Sequence, residues 1–289
     1  MKQTRGEKAF SILNHICLTM LSFATLYPFL YVLSASISSG HAVITGTVIL
    51  WPVDFTLEAY VQVFKEDAIW LAYANTIFYT VAGTVINVFF TVIGAYPLSK
   101  KRLMGREAIG FFIAFTMLFN AGMIPFYLNL REMGLLDTRI AILFAFAITT
   151  FNVIILRSFF QSIPEEIEEA AKVDGASDFR VLWNIVLPLS KPSLAAISLF
   201  YAVARWNGYF WAMIILQDER KIPLQVLLNK LVVEMKPTAE MIGAMDAGVY
   251  SQETVIYATI VVSVIPIVAV YPFIQKYFVK GVMIGSVKG

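Results

Sequence analysis

Residues 68–99 read AIWLAYANTIFYTVAGTVINVFFTVIGAYPLS, without one Asp, Glu, Lys or Arg. A helix of about 20 residues crosses a hydrocarbon core of roughly 30 Å, so this stretch can span a bilayer. It lies between Asp67 and the cluster Lys100-Lys101-Arg102. Working outward, the same freedom from charge holds for Ala9–Val53, Ala108–Leu130, Ile140–Leu156 and Thr254–Gln275, while Pro192–Gln217 is interrupted only by Arg205. The reading is an all-α polytopic membrane protein with six transmembrane helices, residues 1–289 forming a single transmembrane domain. Composition agrees, at 58% hydrophobic and 15% charged residues with a mean hydropathy of +0.73. A soluble chain is roughly 45–50% apolar and 25% charged, and could not hide this much apolar surface.

With the N-terminus inside, six spans return the C-terminus to the cytoplasmic side. Of the 22 lysines and arginines, fourteen then fall inside, seven outside and Arg205 within the membrane, the bias expected of cytoplasmic loops. A net charge of +2 gives no general attraction to nucleic acid. A rival reading makes Lys2, Arg5 and Lys8 the basic region of a signal peptide cleaved near Ser34-Ala35-Ser36, but the apolar stretch is longer than usual and contains Pro28. Cys17, the single cysteine, reads as a small buried apolar residue. Trp51, Tyr60 and Trp70 suit the membrane–water interface. Pro125, Pro266 and Pro272 lie in or near apolar windows, where a freed carbonyl is tolerable beside neighbouring helices or a cavity.

The segment 162–190 is too charged to cross a bilayer. Ser162-Ile163-Pro164-Glu165 fits a capping box opening a helix through Asp174, with Ile163, Ile167, Ala170 and Ala171 as its apolar stripe. Gly175 stops that helix at a position needing φ > 0. A second short helix starts near Ser177, with Phe179, Leu182, Trp183 and Val186 on one face, and Leu187-Pro188 ends it. Glu165, Glu166, Glu168, Glu169 and Asp174 against Lys172 disfavour an anionic lipid surface, which attracts basic faces, and favour a protein partner.

Glu169-Ala170-Ala171, three residues, Gly175, nine residues and Ile185-Val186-Leu187-Pro188 together resemble the EAA signature of permease subunits of binding-protein-dependent ABC importers. Asn75-Thr76, Ala95–Ser99, Gly122–Pro125, Gly134–Thr138, Trp206-Asn207 and the tail Lys280–Gly289 resemble the carbohydrate-uptake branch, similar to the maltose-type permease without a large external domain. The resemblance implies a pore-forming subunit in the bacterial cell membrane that translocates carbohydrate, an oligosaccharide above all, by alternating access and is not itself an enzyme. It implies as partners a second homologous permease subunit, two ATP-binding subunits that carry ATP and Mg, and an extracytoplasmic solute-binding protein. This chain would bind no cofactor and no metal. The loop would be the coupling helix: Glu169 would pair with a basic residue of an ATP-binding subunit, Ala170 and Ala171 would pack in its cleft, Gly175 would form the turn, and Ile185, Leu187 and Pro188 would complete the motif.

No G-x-x-x-x-G-K-[ST] occurs, and no glycine is followed directly by lysine, so the chain lacks the phosphate-binding loop of an ATPase. An intramembrane enzyme would need a nucleophile–base pair or metal ligands at depth, and His15 and His41 have no companion cluster. A channel would show rings of charge or a filter loop. Arg205, Trp206, Asn207 and Tyr209, with Trp211 beside them, are the candidate translocation-path residues, with packing as the alternative for most of them. A deep arginine costs at least about 2.5–3.5 kcal/mol and must face a cavity or a partner. Its counter-group would be a helix-end carbonyl, an acid of the sister subunit, or an acidic sugar. Asn87, Asn120 and Asn152 suit helix–helix contacts as well as substrate. Residues 279–289 read as a flexible cytoplasmic tail that reaches the ATP-binding subunits or stays disordered.

Overall fold

The computed structural model of the chain describes residues 5–119, 121–234 and 250–286. Among these, every regular element is helical. In chain order they are α1 Arg5–Ser36, α2 Gly40–Ile44, α3 Glu58–Lys65, α4 Asp67–Ser99, α5 Arg106–Leu118, α6 Met123–Glu132, α7 Arg139–Phe144, α8 Thr150–Gln161, α9 Glu165–Val173, α10 Asp178–Val181, α11 Leu187–Leu189, α12 Lys191–Trp206, α13 Phe210–Ile215, α14 Leu224–Glu234 and α15 Gln252–Ser286. A π-helical turn, Leu182–Val186, joins α10 to α11.

Three helical stretches are long and apolar enough to cross a membrane: Gly6–Ser36, Asp67–Ser99 and Gln252–Ala269. The windows 108–130, 140–156 and 192–217 do not each form one continuous helix, as the sequence reading expected; each is broken partway. Between α5 and α6 the axis turns by 111°. Gly122 there has φ 89° and ψ 168°, a backbone state open essentially to glycine alone, and Pro125 follows in the first turn of α6. Between α7 and α8 the break covers 145–149, ending on the extended Thr149. Between α12 and α13 it covers Asn207-Gly208-Tyr209. A further bend of 83° joins Asp178–Leu189 to α12. That pair is long and apolar enough for a broken span, although Asp178 and Arg180 sit in its first turn; the apolar window read from the sequence is α12 followed by α13.

The helices group into two compact units, Met1–Trp70 with Leu227–Pro266, and Leu71–Val226 with Ile267–Gly289. In the first, Ala35, Ala42, Val43 and Val48 form a small core with Tyr31, Val53 and Tyr257. Tyr31 and Tyr257 meet edge to face at 5.8 Å. Ser36 and Tyr60 share a hydroxyl hydrogen bond of 2.8 Å, and the Trp70 indole donates to the Phe64 carbonyl at 3.0 Å. Gly40 packs on the backbone of Tyr250 and Ser251, where a Cβ would lie 2.4 Å from a carbonyl carbon; a side chain at Gly40 would force the two segments apart. Cys17 is exposed on α1 rather than buried, since α1 presents apolar residues on every side. His15 Nδ1 lies 2.6 Å from the Ser11 carbonyl, within its own helix.

In the second unit, a core cluster draws on four segments. Val92, Ala95 and Tyr96 of α4, Val153, Leu156 and Phe160 of α8, and Ile197 and Tyr201 of α12 pack with Val181, Leu182 and Val186 of the 178–189 segment. Each fully buried aliphatic or aromatic side chain contributes about 1.5–3 kcal/mol relative to exposure. The 178–189 segment is therefore built into the bundle rather than hung beneath it.

At the opposite end of α4, the stretches Asn75-Thr76 and Gly134–Thr138 hold the strap 215–224. The Asn75 amide donates to the carbonyls of Arg220 (2.8 Å) and Ile222 (3.1 Å) and accepts from Arg139 (2.9 Å). Thr76 accepts the Leu224 N–H at 2.7 Å. Asp137, at φ 54°, accepts the N–H groups of Gln217 and Asp218 at 3.0 Å each and the Lys221 ammonium at 2.9 Å. These donors, the Asp218 N–H first, hold its carboxyl down at about 2. A depressed folded value means the stabilisation is complete above the ordinary aspartate value of about 3.9 and is lost as pH falls toward 2. The stability gap between wild type and Asp137→Asn, read from thermal melts, is expected to stay constant from pH 8 to about 5 and to close between about 4 and 2.

The last helix runs to Ser286, beyond Val279 where the sequence reading placed the start of a flexible tail. Lys288, Gly289 and Asn120 lie outside the described residues.

Candidate functional site

Two neighbouring features of the second unit carry the sequence-predicted residues. The first is the bracket 162–190. Its first helix opens at Glu165 after Pro164, not at a Ser162 cap. The Ser162 hydroxyl instead donates to the Phe159 carbonyl at 2.7 Å, because α8 continues to Gln161 and captures it. The turn forms as the sequence predicts. Gly175 has φ 79°, its N–H donates to the Lys172 carbonyl and the Ala176 N–H to the Ala171 carbonyl, both at 2.9 Å, the pairing of a Schellman motif. Ser177 caps the second helix, accepting the Arg180 N–H at 3.4 Å.

The π turn places one extra residue in the ring, so the faces divide otherwise than a 3.6-residue period predicts. Val181, Leu182 and Val186 are buried, while Phe179 (70% exposed) and Trp183 point outward with their rings 5.9 Å apart. Pro188 does not end the segment, which runs on to Leu189. Glu169, Ala170, Gly175 and Pro188 are exposed; Ala171, Ile185 and Leu187 are half-buried. With Ile167 and Val173 (88% exposed) also outward, the bracket presents small and apolar groups beside the exposed carboxylates of Glu166, Glu169 and Asp174.

The bracket's other face is held from within. Lys100 pairs with the buried Glu168 and lies 4.6 Å above the Tyr96 ring. Lys101 meets Glu165 at 3.1 Å, and Asp178 binds Arg102 and, at 3.2 Å, Lys172. Arg102, then Lys172, hold the Asp178 carboxyl below the usual aspartate range. The sequence reading took Lys100-Lys101-Arg102 only as an orientation signal. The further clue was present: Glu165 and Glu168, one helical turn apart, face three consecutive cations. The exposed Lys101–Glu165 pair contributes little, ~0–1 kcal/mol, whereas removing one partner of the buried Lys100–Glu168 pair leaves an uncompensated charge.

The second feature is a cavity of about 360 Å³ at the break between α7 and α8. It is lined by Arg205, Asn207 and Tyr209 with Tyr79, Asn87, Thr149, Tyr201, Phe146 and Trp211, among others. Arg205 is half-buried and donates to the carbonyls of Ile142, Leu143 (2.9 Å) and Phe146 (3.1 Å) and to the Asn87 amide oxygen (2.7 Å). Asn87 donates to the Phe146 carbonyl at 3.1 Å. Helix C-termini leave carbonyls without intrahelical donors; Arg205 satisfies those of Ile142 and Leu143 in α7 and, with Asn87, that of Phe146 in the break. One turn earlier on α12 and one turn later on α4, the Tyr201 hydroxyl lies 2.7 Å from the Thr91 hydroxyl and accepts the Thr149 N–H at 3.1 Å, at the start of α8. Two i, i+4 pairs, Asn87/Thr91 on α4 and Tyr201/Arg205 on α12, thus clasp the backbone that the break exposes. Gly83 makes room: a Cβ there would lie 2.8 Å from Arg205 Nε.

Trp206 lies elsewhere. It is buried, edge to face with Tyr73 at 6.0 Å, and its indole N–H has no acceptor among the described residues. The Asn207 amide donates to Val203 at 3.0 Å within its own helix. Asn152 is buried with its amide oxygen unpaired. The residues missed by sequence reasoning are Phe126 and Phe146, whose rings cluster with that of Trp211 at 4.7–5.8 Å beside the cavity.

Comparison with known proteins follows from this geometry. The family described as binding-protein-dependent transport system inner membrane component matches residues 107–284, and the chain belongs to it. It is a multi-pass membrane transport component rather than an enzyme. Protein LplC of Bacillus subtilis is 41% identical over 289 residues, covering 100% of this chain and 98% of the relative. The polygalacturonan/rhamnogalacturonan transport system permease protein YtcP of the same organism is 43% identical over 284 residues, covering 98% and 99%. A crystal structure of a bacterial ABC transporter involved in the import of the acidic polysaccharide alginate contains a chain 51% identical to this one, with a TM-score of 0.93 over 96% of this chain and 99% of that one.

Proposed function

We propose that this chain is one of two permease subunits of an ATP-driven importer that takes up oligosaccharide across a bacterial cell membrane, ATP being hydrolysed with Mg on separate subunits. The observation that carries the reading is the bracket: an exposed small-residue surface at Glu169–Gly175 whose second helix belongs to the core shared by α4, α8 and α12. A force applied there reaches α12 and the cavity without passing through a flexible loop. Alternating access by rigid-body rotation needs such a lever.

Six spans with both termini cytoplasmic fit the second unit's contacts. α4, at 33 residues, is about 50 Å long, so Asn75 and Lys100 lie toward opposite ends of it. The loops 100–105 and 162–190 are joined by ion pairs at the Lys100 end, and the loops 133–138 and 216–224 are joined at the Asn75 end. Chain order then alternates between the two ends, with windows 108–130, 140–156 and 192–217 as one crossing each. The positive charge at the Lys100 end supports the cytoplasmic side for it. The outer end would meet the solute-binding protein.

For the substrate we infer an acidic oligosaccharide. Two of the proteins named above are described as transporting polygalacturonan/rhamnogalacturonan or alginate, and the aromatic cluster at Phe126, Phe146 and Trp211 suits sugar faces. Proteoliposomes containing this chain, its sister permease and the ATP-binding subunits are the test. Uptake of oligogalacturonate is expected only with both ATP and the binding protein present, and at least tenfold above uptake of maltooligosaccharide. Equal uptake of both sugars would remove the acidic assignment, and uptake without ATP would remove the importer.

A further inference from the structure

The geometry points to an anionic phospholipid site in the cleft between α5 and α8, with Arg157 and Arg106 binding the headgroup phosphate. The two helices run antiparallel. Thr116 and Thr150 share a hydroxyl hydrogen bond of 3.1 Å at one level. Further along, the Arg157 guanidinium lies over Gly110, where a Cβ would be 2.8 Å from its Nη1. Arg106 is one helical turn below Gly110 on the same face of α5, about 6 Å away by the i, i+4 spacing, and lines a cavity with Lys100, Lys101, Gln161 and Ser162, where Glu168 and Glu165 are paired with the two lysines and Glu166 also lines the space.

Both cations lack an anion. Among the described residues neither guanidinium donates a hydrogen bond, and neither has a carboxylate within 4.0 Å; Arg157 Nε is shut from solvent with no acceptor. The contrast is with Arg205, Arg102 and Arg139, each of which has acceptors. An arginine at the edge of an apolar window with a buried, unsatisfied N–H calls for a counter-ion.

The surroundings favour lipid. No residue of α5 is buried, and beside Gly110 it presents Phe111 (74% exposed), Phe112 and Phe115, an apolar surface for acyl chains. The arginines lie at the Lys100–Arg102 end of the bundle, the cytoplasmic side in the topology proposed above, where anionic headgroups attract basic clusters. Gly110 gives the guanidinium the space to sit between the helices instead of extending into water.

Native mass spectrometry of the delipidated full chain, titrated with dioleoylphosphatidylglycerol or dioleoylphosphatidylcholine, tests this without reference to transport. Phosphatidylglycerol should bind at least about tenfold more tightly. Arg157→Gln and Arg106→Gln should each reduce the preference about fivefold, Arg157→Lys should retain most of it, and Arg131→Gln should leave it unchanged. Inorganic phosphate at 10 mM should not displace the lipid, because the acyl chains contribute. The wild-type preference is decisive even if a variant folds poorly. Equal binding of the two lipids, as expected were the arginines to meet an acid of a partner protein, overturns the proposal; displacement by free phosphate overturns the lipid as the source of the anion.

Discussion

Gly175→Val is expected to leave the protein inserted and the bundle folded while reducing ATP-dependent uptake at least tenfold. At φ 79° a β-branched residue is a backbone outlier, and left-handed conformations already cost an ordinary L-residue roughly 1–2 kcal/mol. No atom lies within 4 Å of a Cβ built at Gly175, so the penalty is conformational and not a clash. The variant therefore escapes by unwinding the turn, losing the bonds from Gly175 and Ala176 to Lys172 and Ala171 and reorienting α9 against the 178–189 segment. The same reasoning predicts a graded series: Asn, which tolerates this region, should keep most of the uptake, Ala should be intermediate, and Val should lose it. ATP hydrolysis by the partner subunits, measured in parallel, should persist in the Val variant without driving uptake. Normal uptake by that variant would remove the turn from the coupling path.

Arg205→Gln has the second large effect. The guanidinium serves two α7 carbonyls, the Phe146 carbonyl in the break and the Asn87 amide, and a glutamine can replace at most part of this. Each carbonyl left unsatisfied costs about 1–3 kcal/mol, so a destabilisation on the order of 3 kcal/mol is expected. Uptake of acidic and neutral oligosaccharides should fall together, roughly tenfold, with their ratio preserved within about twofold. Of the counter-groups open to a deep arginine, helix-end carbonyls are the ones it meets here, so the expected role is to position the broken backbone rather than to choose the sugar's charge. Gly83→Ala should give a milder version of the same loss by displacing Arg205. A fall confined to acidic sugars would instead mean that the guanidinium reaches substrate.

The contrast between these two sites shows what a sequence carries. Gly175 was legible because a local rule decides it: an amphipathic stripe ends and the residue that tolerates φ > 0 follows. Ser177 as a cap was legible for the same reason. The capping role of Ser162 failed because α8 reached the same hydroxyl first. The break at 145–149 contains neither Pro nor Gly, and the groups that stabilise it come from Asn87, Thr91, Tyr201 and Arg205, distant in the chain. Hydropathy sees only that the window is apolar, and so it predicts a continuous helix. The outward turn of Phe179 and Trp183 depends on a π-helical turn, a ring size that a 3.6-residue period cannot anticipate.

The central claim is that the exposed surface around Glu169–Gly175 is where an ATP-hydrolysing partner docks. Its most direct test is the reactivity of a cysteine at position 170, in the Ala170→Cys variant with Cys17→Ser, toward a membrane-impermeant maleimide in inside-out vesicles. The isolated chain should label fully, since Ala170 is exposed. Co-expression with the ATP-binding subunits should protect position 170 at least tenfold and leave a Ser158→Cys control unchanged. Equal labelling of position 170 with and without those subunits would contradict the account.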